Sequence, residues 1–392
     1  MKIALVSPYD WLTPGGVNNH IDRAARAYEA LGHEVRIAAP AGGAVSDPRV
    51  FVGGRPTAVP ASGSVARIAL DPFVGRRVAA FLREEQFDLV HVHEPLMPAL
   101  PIQALRHSRA ANPRVVNVGT FHAHRENGNR LYGYGRRLLK RSFHELDGKI
   151  AVSIPAAQFV SQYFRGFYNV IPNGVDLDRW SSPSIRPIPE FDDGVINILY
   201  VGRAEKRKGL DDLLHAFGMV NARHSNTRLL VVGPTSRRRR RIEAEVAESQ
   251  RRSIVFVDGP SDAELPRWHH TAHIFCSPAT GNESQGIVLL EAMAAGLPVV
   301  ASNIEGYASV ITHGVDGVLV RPRDTMALAD ALTALVRDAG ARATLGRAAR
   351  RHADSYSWRR VTQRLLSYYE RLIEERRSMP VPRPELAEAA AL

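Results

Sequence analysis

Short apolar runs that alternate with helical patterns constrain this chain more than any other feature of its sequence. Five such runs occur in the first half, and each ends in polar residues or proline. They cover residues 3–8, 34–40, 88–95, 114–121 and 149–153. Runs that are apolar along their whole length are typical of strands buried on both faces of a parallel sheet.

The segments between these runs have the spacing of amphipathic helices. The first predicts a helix over 17–31, and Gly32 is placed to cap its C-terminal end. The expected apolar face of this helix comprises Val17, Ile21, Ala24, Ala25, Tyr28 and Leu31. Strands that alternate with helices in this way favour a parallel sheet covered by helices.

A polar segment separates the first half from a second block of the same kind. Residues 173–194 are rich in Pro, Asp, Ser and Gly, which predicts a linker. Six more apolar runs follow, at 196–202, 228–233, 254–259, 273–278, 298–302 and 317–322. We therefore predict an α/β protein with two doubly wound parallel sheets, one in a domain over 1–172 and one in a domain over 195–358.

The end of the chain and the strand ends complete this prediction. One amphipathic helix is expected over 359–378, and a loosely held tail over 379–392. In open parallel sheets, ligands bind beyond the carboxyl ends of the strands. The chemistry is therefore expected in a cleft between two facing sheets, on the loops that follow the strands.

Composition narrows the class of protein. The length of 392 residues favours two domains. The single cysteine, Cys276, excludes an intramolecular disulfide, and its apolar neighbours predict a core residue in a strand. The apolar run at the N-terminus is too short for a signal peptide, and no run of about 18 apolar residues occurs, so a cytoplasmic protein is expected. The formal net charge of +11 favours anionic partners without choosing among phosphates, nucleic acid and an acidic membrane.

The segment 281–302, GNESQGIVLLEAMAAGLPVVAS, is the strongest motif. A helix is predicted to begin near Ser284 to Gly286, and its free N–H groups and dipole would favour a phosphate. Glu283 is expected just before this helix, and Glu291 about two turns into it, within reach of a ribose hydroxyl pair. The alternative is an ordinary strand–loop–helix unit with two incidental glutamates.

A second motif follows the first strand of the second block. Arg203 and Lys208 are long cations on a loop beyond a strand end, where they are suited to neutralising a diphosphate leaving group. For Glu205, Lys206 and Arg207, which lie between them, a pure surface role stays open.

Two weaker signals occur in the first half. Gly15 and Gly16 precede the helix over 17–31 and allow a ligand to approach the backbone closely, although any tight turn between a strand and a helix can use glycine. His122 follows the strand over 114–121 and could donate to a phosphate or orient an acceptor hydroxyl, or be a loop histidine with no such role.

The sequence HVHEP raises the question of a metal site, because His91, His93 and Glu94 are all capable ligands. Histidines on one face of a buried strand usually serve as hydrogen-bonding partners for their neighbours. No metal site is predicted here.

Two basic segments keep alternative interpretations. Arg237–Arg241 form a run of arginines at a helix start, typical of a solvated helix face, with contact to an anion or nucleic acid as the alternative. Residues 130–145 interleave basic and apolar side chains at helical spacing. This pattern suits a lipid interface and a helix packed on the core equally well.

Together, these segments resemble the GT-B glycosyltransferases of family 4. The resemblance rests on Gly15–Gly16, on PNGVD over 172–176, on Arg203 with Lys208, and on Glu283 with Glu291 before AMAAG. It covers nearly the whole chain. It implies two Rossmann-like domains, of which the first binds the acceptor and the second the nucleotide sugar, while the final helix crosses back to the first. It also implies transfer with retention of the anomeric configuration.

The resemblance assigns roles to individual residues. Arg203 and Lys208 would contact the diphosphate, Glu283 the sugar hydroxyls and Glu291 the ribose. The implied donor-binding residues are Gly16, Arg203, Lys208, Gly233, Glu283, Ser284, Gln285, Gly286, Ile287 and Glu291. The implied acceptor-binding residues are Tyr9, Gly15, Gly16, Asn18 and His122, and the catalytic ones are Arg203, Lys208, Glu283 and His122.

No metal requirement follows from the resemblance. Asp176-Leu177-Asp178 is similar to the D-x-D metal motif of the other glycosyltransferase fold, but its place in the predicted linker argues against that role. The co-substrate would be a nucleotide diphosphate sugar, and no further cofactor is implied.

Within the family, SPYDWLTPGGVNNHI, HVHEPLMPALP and GTFHAH are similar to stretches of the bacterial phosphatidylinositol mannosyltransferases. This similarity implies GDP-mannose as donor, phosphatidylinositol as acceptor, and a peripheral position at the inner face of the cell membrane. The alternatives are a transferase that uses a UDP-sugar with diacylglycerol, a polysaccharide or a small acceptor, and a nucleotide-sugar epimerase of related fold. Nucleic-acid binding through Arg237–Arg241 is not favoured, because no recognition helix or stacking pattern accompanies the run.

Overall fold

A computed structural model describes residues 1–13, 15–61, 64–126, 128–203, 205–233, 236–246 and 248–378. Contacts divide the chain into two compact units. The first comprises Met1–Ala123, Gly128–Pro172 and the described residues from Arg359 onward, and the second comprises Asn173–Trp358 with a short stretch that begins at His124. The tail predicted over 379–392 lies outside the described residues.

The first unit is built around a parallel sheet, as the apolar runs predicted. Its strands and one antiparallel hairpin are β1 (Lys2–Val6), β2 (Glu34–Pro40), β3 (Val50–Gly54), the hairpin β4 (Pro56–Ala61) and β5 (Ser64–Ala69), β6 (Leu89–His93), β7 (Val116–Phe121), β8 (Gly148–Ala151) and β9 (Asn169–Val170). The sheet has the order β3-β2-β1-β6-β7-β8-β9. The five predicted strands are present, while β3, β9 and the hairpin lacked a long apolar run that would have revealed them.

Helices cover this sheet. They are α1 (Gly16–Glu29), α2 (Val74–Glu85), α3 (Leu100–Ala111), α4 (Arg130–His144) and α5 (Ile154–Ser161). In α1, the side chains of Ile21, Ala24, Ala25 and Tyr28 are buried, as predicted. The prediction for Leu31 was wrong: α1 ends at Glu29, and Leu31 is 57% exposed because the chain turns away at Gly32, which has a φ of +82°.

The second unit contains the second predicted parallel sheet. Its strands are β10 (Ile196–Val201), β11 (Thr227–Val232), β12 (Ile254–Val257), β13 (Ile274–Ser277), β14 (Val299–Ser302) and β15 (Val318–Val320). They lie in the order β12-β11-β10-β13-β14-β15, so all six predicted strands are confirmed. Cys276 is fully buried in β13, which confirms its prediction as a core residue.

Helices also cover the second sheet. They are α6 (Leu177–Ser181), α7 (Leu210–Arg223), α8 (Ser236–Glu245), α9 (Glu248–Arg251), α10 (Leu265–Thr271), α11 (Ile287–Ala294), α12 (Glu305–Ala308), α13 (Thr325–Arg337) and α14 (Ala339–Ala353). The segment 173–194 was predicted as a linker from its composition. It contains α6, whose Trp180 is buried in the core of this unit, so one apolar side chain anchors an otherwise polar segment.

The last helix, α15 (Trp358–Ser378), packs on the first unit. Its buried residues include Val361, Leu365 and Leu372, and a Cβ added to Gly148 of β8 would lie 2.5 Å from a methyl group of Leu372. Tyr369 is completely buried. Its hydroxyl lies 3.0 Å from that of Tyr28 and 2.6 Å from Nδ1 of His91, so it ties α15 to α1 and to β6.

We expect Tyr369→Phe to lower the free energy of unfolding of the first unit by about 1–3 kcal/mol, because the change leaves two buried polar atoms, on Tyr28 and His91, without their partner. Tyr134→Phe is the matched control, since the side chain of Tyr134 is 92% exposed. Urea unfolding, followed by hydrogen exchange in peptides of the first unit, measures both variants. Equal stability of the two variants would show that the buried hydroxyl contributes nothing.

Candidate active site

Three neighbouring strands of the second sheet end in the predicted site residues. Arg203 follows β10, Gly233 follows β11, and Glu283 lies between β13 and α11, while β11, β10 and β13 are adjacent in the sheet. Since carboxyl ends of parallel strands meet at one edge, the fold gathers these residues there. The backbone N–H of Thr280 donates to the carbonyl of Arg207 at 2.7 Å, which joins the loop after β10 to the loop after β13.

Glu283 is held by two cations. Its carboxylate is 12% exposed, forms an ion pair with Nζ of Lys208 at 2.7 Å, and contacts the guanidinium of Arg207. Arg207 also donates through Nε to Glu205 at 2.9 Å, and Arg203 pairs with Glu205 at 3.0 Å. Positive and negative groups therefore alternate across the two loops, and the carboxylates are neutralised where they are partly buried.

Arg207 pairs with Glu205 and Glu283, a contact within the candidate site that sequence reasoning missed. A surface role was left open for Glu205, Lys206 and Arg207, but only Lys206 is exposed among them. Burial acts against the charge of Arg207, but the nearby carboxylates of Glu283 and Glu205 raise its pKa above the usual value. Three consecutive basic residues in a loop carry no signal that tells which one turns inward, so only the tertiary structure identifies it.

The loop before α11 has a fixed shape. Gly286 has a φ of +82°, and a Cβ added there would lie 2.5 Å from the ring of Tyr307, so only glycine fits. Gln285 is buried, and its Oε1 accepts from the backbone N–H of Asn173 at 2.8 Å and from Nδ2 of Asn173 at 2.7 Å. Ser284 is half-buried between Glu283 and Gln285.

Helix α11 begins at Ile287, which places Glu291 just over one turn into the helix. The helix start agrees to within one residue with the predicted range of Ser284 to Gly286, but the predicted depth of about two turns was wrong, because Glu291 is only the fifth residue of α11. The free N–H groups of the first turn of α11 nonetheless point toward the loop that contains Glu283 and Gly286, as predicted. Gly233, with a φ of +109°, lies against the backbone of Gly202, where a Cβ would come within 2.9 Å of the carbonyl oxygen.

The first unit also gathers predicted residues at the ends of adjacent strands, β1, β6 and β7. Asn18 is buried and braces the loop after β1: its Oδ1 accepts from Oγ of Ser7 at 2.6 Å, and its Nδ2 donates to the carbonyl of Asp10 at 2.8 Å. Tyr9 is half-buried in this loop. The side chain of Asn18 thus holds the loop in shape, and its contact with an acceptor stays a prediction.

The diglycine turn is open. Gly15 has an extended backbone, with a φ of −167°, and a Cβ added to it would meet nothing within 4 Å. Gly16 is the first residue of α1. Neither backbone strain nor packing requires glycine at position 15, so the space beside it is available to a ligand.

His122 lies in a cluster of four histidines. The ring centroids of His20, His93 and His122 are 5.2–5.3 Å from one another, and the ring of His91 lies 4.3 Å from that of His93. Nδ1 of His93 lies 2.9 Å from Nε2 of His122. The cluster joins α1 to the ends of β6 and β7, and the sequence signal for it was the pair of histidines in HVHEP.

Burial keeps the imidazoles of His91, His93 and His122 neutral. It lowers the pKa of His91 to about 3, and it lowers the pKa of His93 and His122 well below the usual value. The neighbouring histidines act in the same direction, because a second positive charge would repel the first. At neutral pH, His122 is therefore a neutral hydrogen-bonding group.

Among the described residues, no group of three or more His, Cys, Asp or Glu side chains is arranged to hold a metal ion. Both ring nitrogens of His91 have other partners, since Nε2 lies 2.6 Å from Oγ1 of Thr120 and Nδ1 contacts Tyr369. Asp176, from the D-x-D-like sequence, accepts from the backbone N–H of Arg179 at 3.1 Å and caps α6.

Helix α4 combines the two interpretations of residues 130–145. Tyr132, Leu139 and Phe143 are buried in the core of the first unit. Tyr134 and Leu138, in contrast, are 92% and 85% exposed. The basic side chains of Arg136, Arg137, Lys140 and Arg141 are exposed on the same helix. One face of α4 packs on the core, and the rest of the helix exposes apolar side chains among cations.

The arginine run lies in α8, where Arg239 pairs with Glu243 at 2.7 Å and with Asp258 at 3.3 Å, and Arg240 is exposed. The side chains of Arg237, Arg238 and Arg241 lie outside what the structure describes. In the described part of the chain, no helix is both long enough and apolar enough to span a bilayer.

Comparison with known families and proteins identifies relatives over almost the whole chain. Residues 14–179 match the family model "Glycosyltransferase Family 4", and residues 181–352 match "Glycosyl transferases group 1". The phosphatidyl-myo-inositol mannosyltransferase of Mycobacterium leprae is 37% identical over 374 residues, which cover 94% of this chain and 96% of that protein. The enzyme of the same name from Mycolicibacterium smegmatis is 34% identical, with 94% of each chain covered.

A solved structure shares the fold. The crystal structure of a glycosyltransferase from Rickettsia africae superposes with a TM-score of 0.76 at 20% identity, and the match covers 95% of this chain and 98% of that chain. The predicted GT-B class of fold is thereby confirmed.

We expect the stability of the first unit to fall as the pH falls from 7 to 5. His91 has a pKa of about 3 in the folded protein. Its pKa is about 6.5 in an unfolded chain. Below that value, the unfolded state binds a proton that the folded state does not, so His91 alone lowers the free energy of unfolding by roughly 2 kcal/mol at pH 5. Urea unfolding at several pH values measures this slope, and His91→Asn should make it shallower. A slope that is unchanged in the variant would contradict the assignment.

Proposed function

This chain belongs to the group 1 glycosyltransferases of family 4, and we propose that it transfers mannose from GDP-mannose to phosphatidylinositol with retention of the anomeric configuration. As a member of this family it is a hexosyltransferase. The observation that carries the proposal is the Glu283 carboxylate, held between Arg207 and Lys208 in the loop that precedes the N-terminus of α11. The printed names of its relatives support mannose and the inositol lipid as substrates.

In the proposal, the second unit binds the nucleotide sugar. Arg203 and Lys208 contact the diphosphate, together with the N–H groups of Gly286 and Ile287 at the start of α11. Glu283 receives hydrogen bonds from the sugar hydroxyls, and Glu291 from the ribose. The backbones of Gly202 and Gly233 pack against each other at the ends of β10 and β11, so neither residue projects a side chain toward the proposed nucleotide.

The charges of the site suit the departure of a diphosphate. As the bond between the anomeric carbon and the phosphate oxygen breaks, negative charge develops on that oxygen, and Lys208 and Arg203 stabilise it. The acceptor hydroxyl forms its new bond on the same face, and its proton passes to the leaving phosphate. This accounts for retention without a carboxylate nucleophile, and the proposal includes no metal ion.

The first unit binds the acceptor in this proposal. His122, Tyr9 and Gly15, which has open space beside it, lie at the carboxyl ends of β1 and β7. A neutral His122 can hydrogen-bond to the phosphate or to a hydroxyl of the lipid headgroup. Asn18 contributes by holding the loop after β1 in shape.

A lipid acceptor requires contact with a membrane, and we propose that α4 supplies it. Its exposed apolar residues Leu131, Tyr134 and Leu138 lie among exposed cations. Apolar side chains that insert beneath the headgroups, with cations that attract anionic lipids, are the two components of interfacial binding. The net charge of +11 acts in the same direction.

A donor screen tests the nucleotide sugar. GDP-mannose should raise the melting temperature more than UDP-glucose, UDP-galactose or UDP-N-acetylglucosamine, because a ligand stabilises the state that binds it. Lys208→Ala and Glu283→Ala should weaken this shift and lower turnover on the order of a hundredfold or more. Lys206→Ala is the matched control, since Lys206 is exposed on the same loop.

The outcomes separate the alternatives. A larger increase in melting temperature with a UDP-sugar would show that the donor is that UDP-sugar and not GDP-mannose. A free epimer formed from the donor without acceptor would identify an epimerase and overturn the transferase proposal. Near-normal turnover in both Lys208→Ala and Glu283→Ala would contradict the assignment of the site.

Vesicle binding tests the contact with lipid. We expect the double variant Tyr134→Ser with Leu138→Ser to bind vesicles that contain anionic phospholipid about tenfold more weakly, because two exposed apolar side chains are lost. Met326→Ser, which removes a half-exposed apolar residue of α13, is the control. Co-sedimentation measures both variants, and equal binding would exclude α4 from the interface.

A further inference from the structure

His122 is held at its ring and at its backbone by two consecutive residues, His93 at the end of β6 and Glu94 directly after it. Nδ1 of His93 lies 2.9 Å from Nε2 of His122. The backbone N–H of His122 donates to Oε1 of Glu94 at 2.7 Å. Both partners are almost fully buried, with His93 0% and Glu94 4% exposed. The residue predicted at the acceptor is therefore held by groups that a ligand does not touch.

Glu94 adopts a backbone conformation that costs free energy. Its φ is +48°, in the left-handed region that a residue with a side chain rarely occupies. Such strain persists where the surrounding structure imposes it, often at functional sites. Here the N–H of Glu94 donates to the carbonyl of Thr120 at 2.8 Å, so β7 imposes the turn that directs the carboxylate to His122.

The two nitrogens of each ring have different surroundings. Nε2 of His93 is buried and has no hydrogen-bonding partner among the described residues. Nδ1 of His122 makes no hydrogen bond in the described part of the chain, and it is not one of the buried unpaired atoms. It is therefore the ring nitrogen of His122 that solvent or a ligand can reach.

A neutral imidazole carries one N–H, so the contact between the rings allows two arrangements. If His93 carried its proton on Nε2, a buried donor would have no acceptor, and such orphaned N–H groups are rare in folded proteins. If His93 carries its proton on Nδ1, it donates to Nε2 of His122. His122 must then carry its own proton on Nδ1, at the accessible edge.

We propose that His93 is a positioning residue that fixes the tautomer of His122, so that His122 presents an N–H donor, and not a base, to the acceptor. This inference rests on the proposed function, since it specifies how His122 meets the lipid headgroup. A donor suits a phosphate oxygen or the oxygen of a hydroxyl group. His122 then takes no proton from the attacking hydroxyl, which agrees with transfer of that proton to the leaving phosphate.

Fixing the tautomer has an energetic purpose. An imidazole free to exchange between tautomers presents a lone pair to the headgroup part of the time, and a lone pair repels a phosphate oxygen. The neighbouring His91 is held in the same way, by Tyr369 and Thr120. Hydrogen bonds to buried neighbours thus determine the orientation of the imidazoles at the end of β6.

Nitrogen-15 NMR of the protein with labelled histidine rings tests the tautomer directly, without any substrate. A ring nitrogen that bears a proton resonates well apart from one that does not. The signal of His122 is assigned by its loss in His122→Gln. We expect Nδ1 of His122 to be protonated and Nε2 to be bare. Protonation on Nε2 in the unmodified protein would overturn the proposal.

Two variants of His93 separate positioning from packing. His93→Asn keeps an N–H donor close to the position of Nδ1 and should preserve the tautomer of His122, whereas His93→Phe removes the donor and should produce a mixture. In transfer assays, His93→Phe should raise the KM for the lipid by about twofold to fivefold with a smaller effect on kcat, because only the fraction of His122 that carries its proton on Nδ1 binds the headgroup. In His93→Asn, the KM for the lipid should stay close to that of the unmodified protein.

The NMR result stands even if the protein transfers a different sugar or uses a different acceptor. Failure of the proposed function would appear as absence of transfer to phosphatidylinositol, with the tautomer of His122 unchanged. Failure of this inference would appear as normal transfer with a His122 tautomer that does not respond to His93→Phe. If His93→Phe does not fold, the unmodified protein and His93→Asn carry the test.

Discussion

Both sheets consist of parallel strands buried on both faces, and this burial decides where polar chemistry can occur. Side chains within the strands face cores of Leu, Ile, Val and Ala. The carboxyl ends of the strands are the places where loops can present charged groups to a ligand. In the second unit, Arg203, Gly233 and Glu283 follow three adjacent strands. In the first unit, the diglycine turn and His122 follow β1 and β7, the two strands that flank β6.

The histidines at the end of β6 are among the polar side chains that are buried within the strands, and their burial has consequences. Buried polar groups such as these imidazoles are nearly always hydrogen-bonded in folded proteins. His91 finds them in Thr120 and in Tyr369, a residue of α15 that is 278 positions away in sequence. The hydrogen bonds of the last helix therefore support the strand that positions His122. In the proposed enzyme, a residue of α15 thus contributes to the acceptor side without contacting the substrate.

Charge balance governs the second unit in the same way. Glu283 and Glu205 are neutralised by Arg203, Arg207 and Lys208 in the protein alone. In the proposed complex, the diphosphate pairs with Arg203 and Lys208, while Glu283 accepts hydrogen bonds from the sugar hydroxyls and keeps the guanidinium of Arg207 as its counter-charge. Donor binding therefore leaves none of these partly buried charges isolated.

The sequence by itself determined eleven strands, the α/β class, the family and the positions of Arg203, Lys208, Glu283 and His122, because unbroken apolar runs and glycine-bounded loops are local features. It did not determine the end of α1 at Glu29 or the depth of Glu291 in α11, since both depend on the turns at the helix ends. Nor did it determine that Arg207 contacts Glu283, since this depends on which basic side chain turns inward. The links from Tyr369 to His91 and from His93 to His122 were decided by tertiary structure alone. Hydrogen bonds between distant segments leave no spacing in the sequence, because they form only where the fold excludes water and brings their donors and acceptors together.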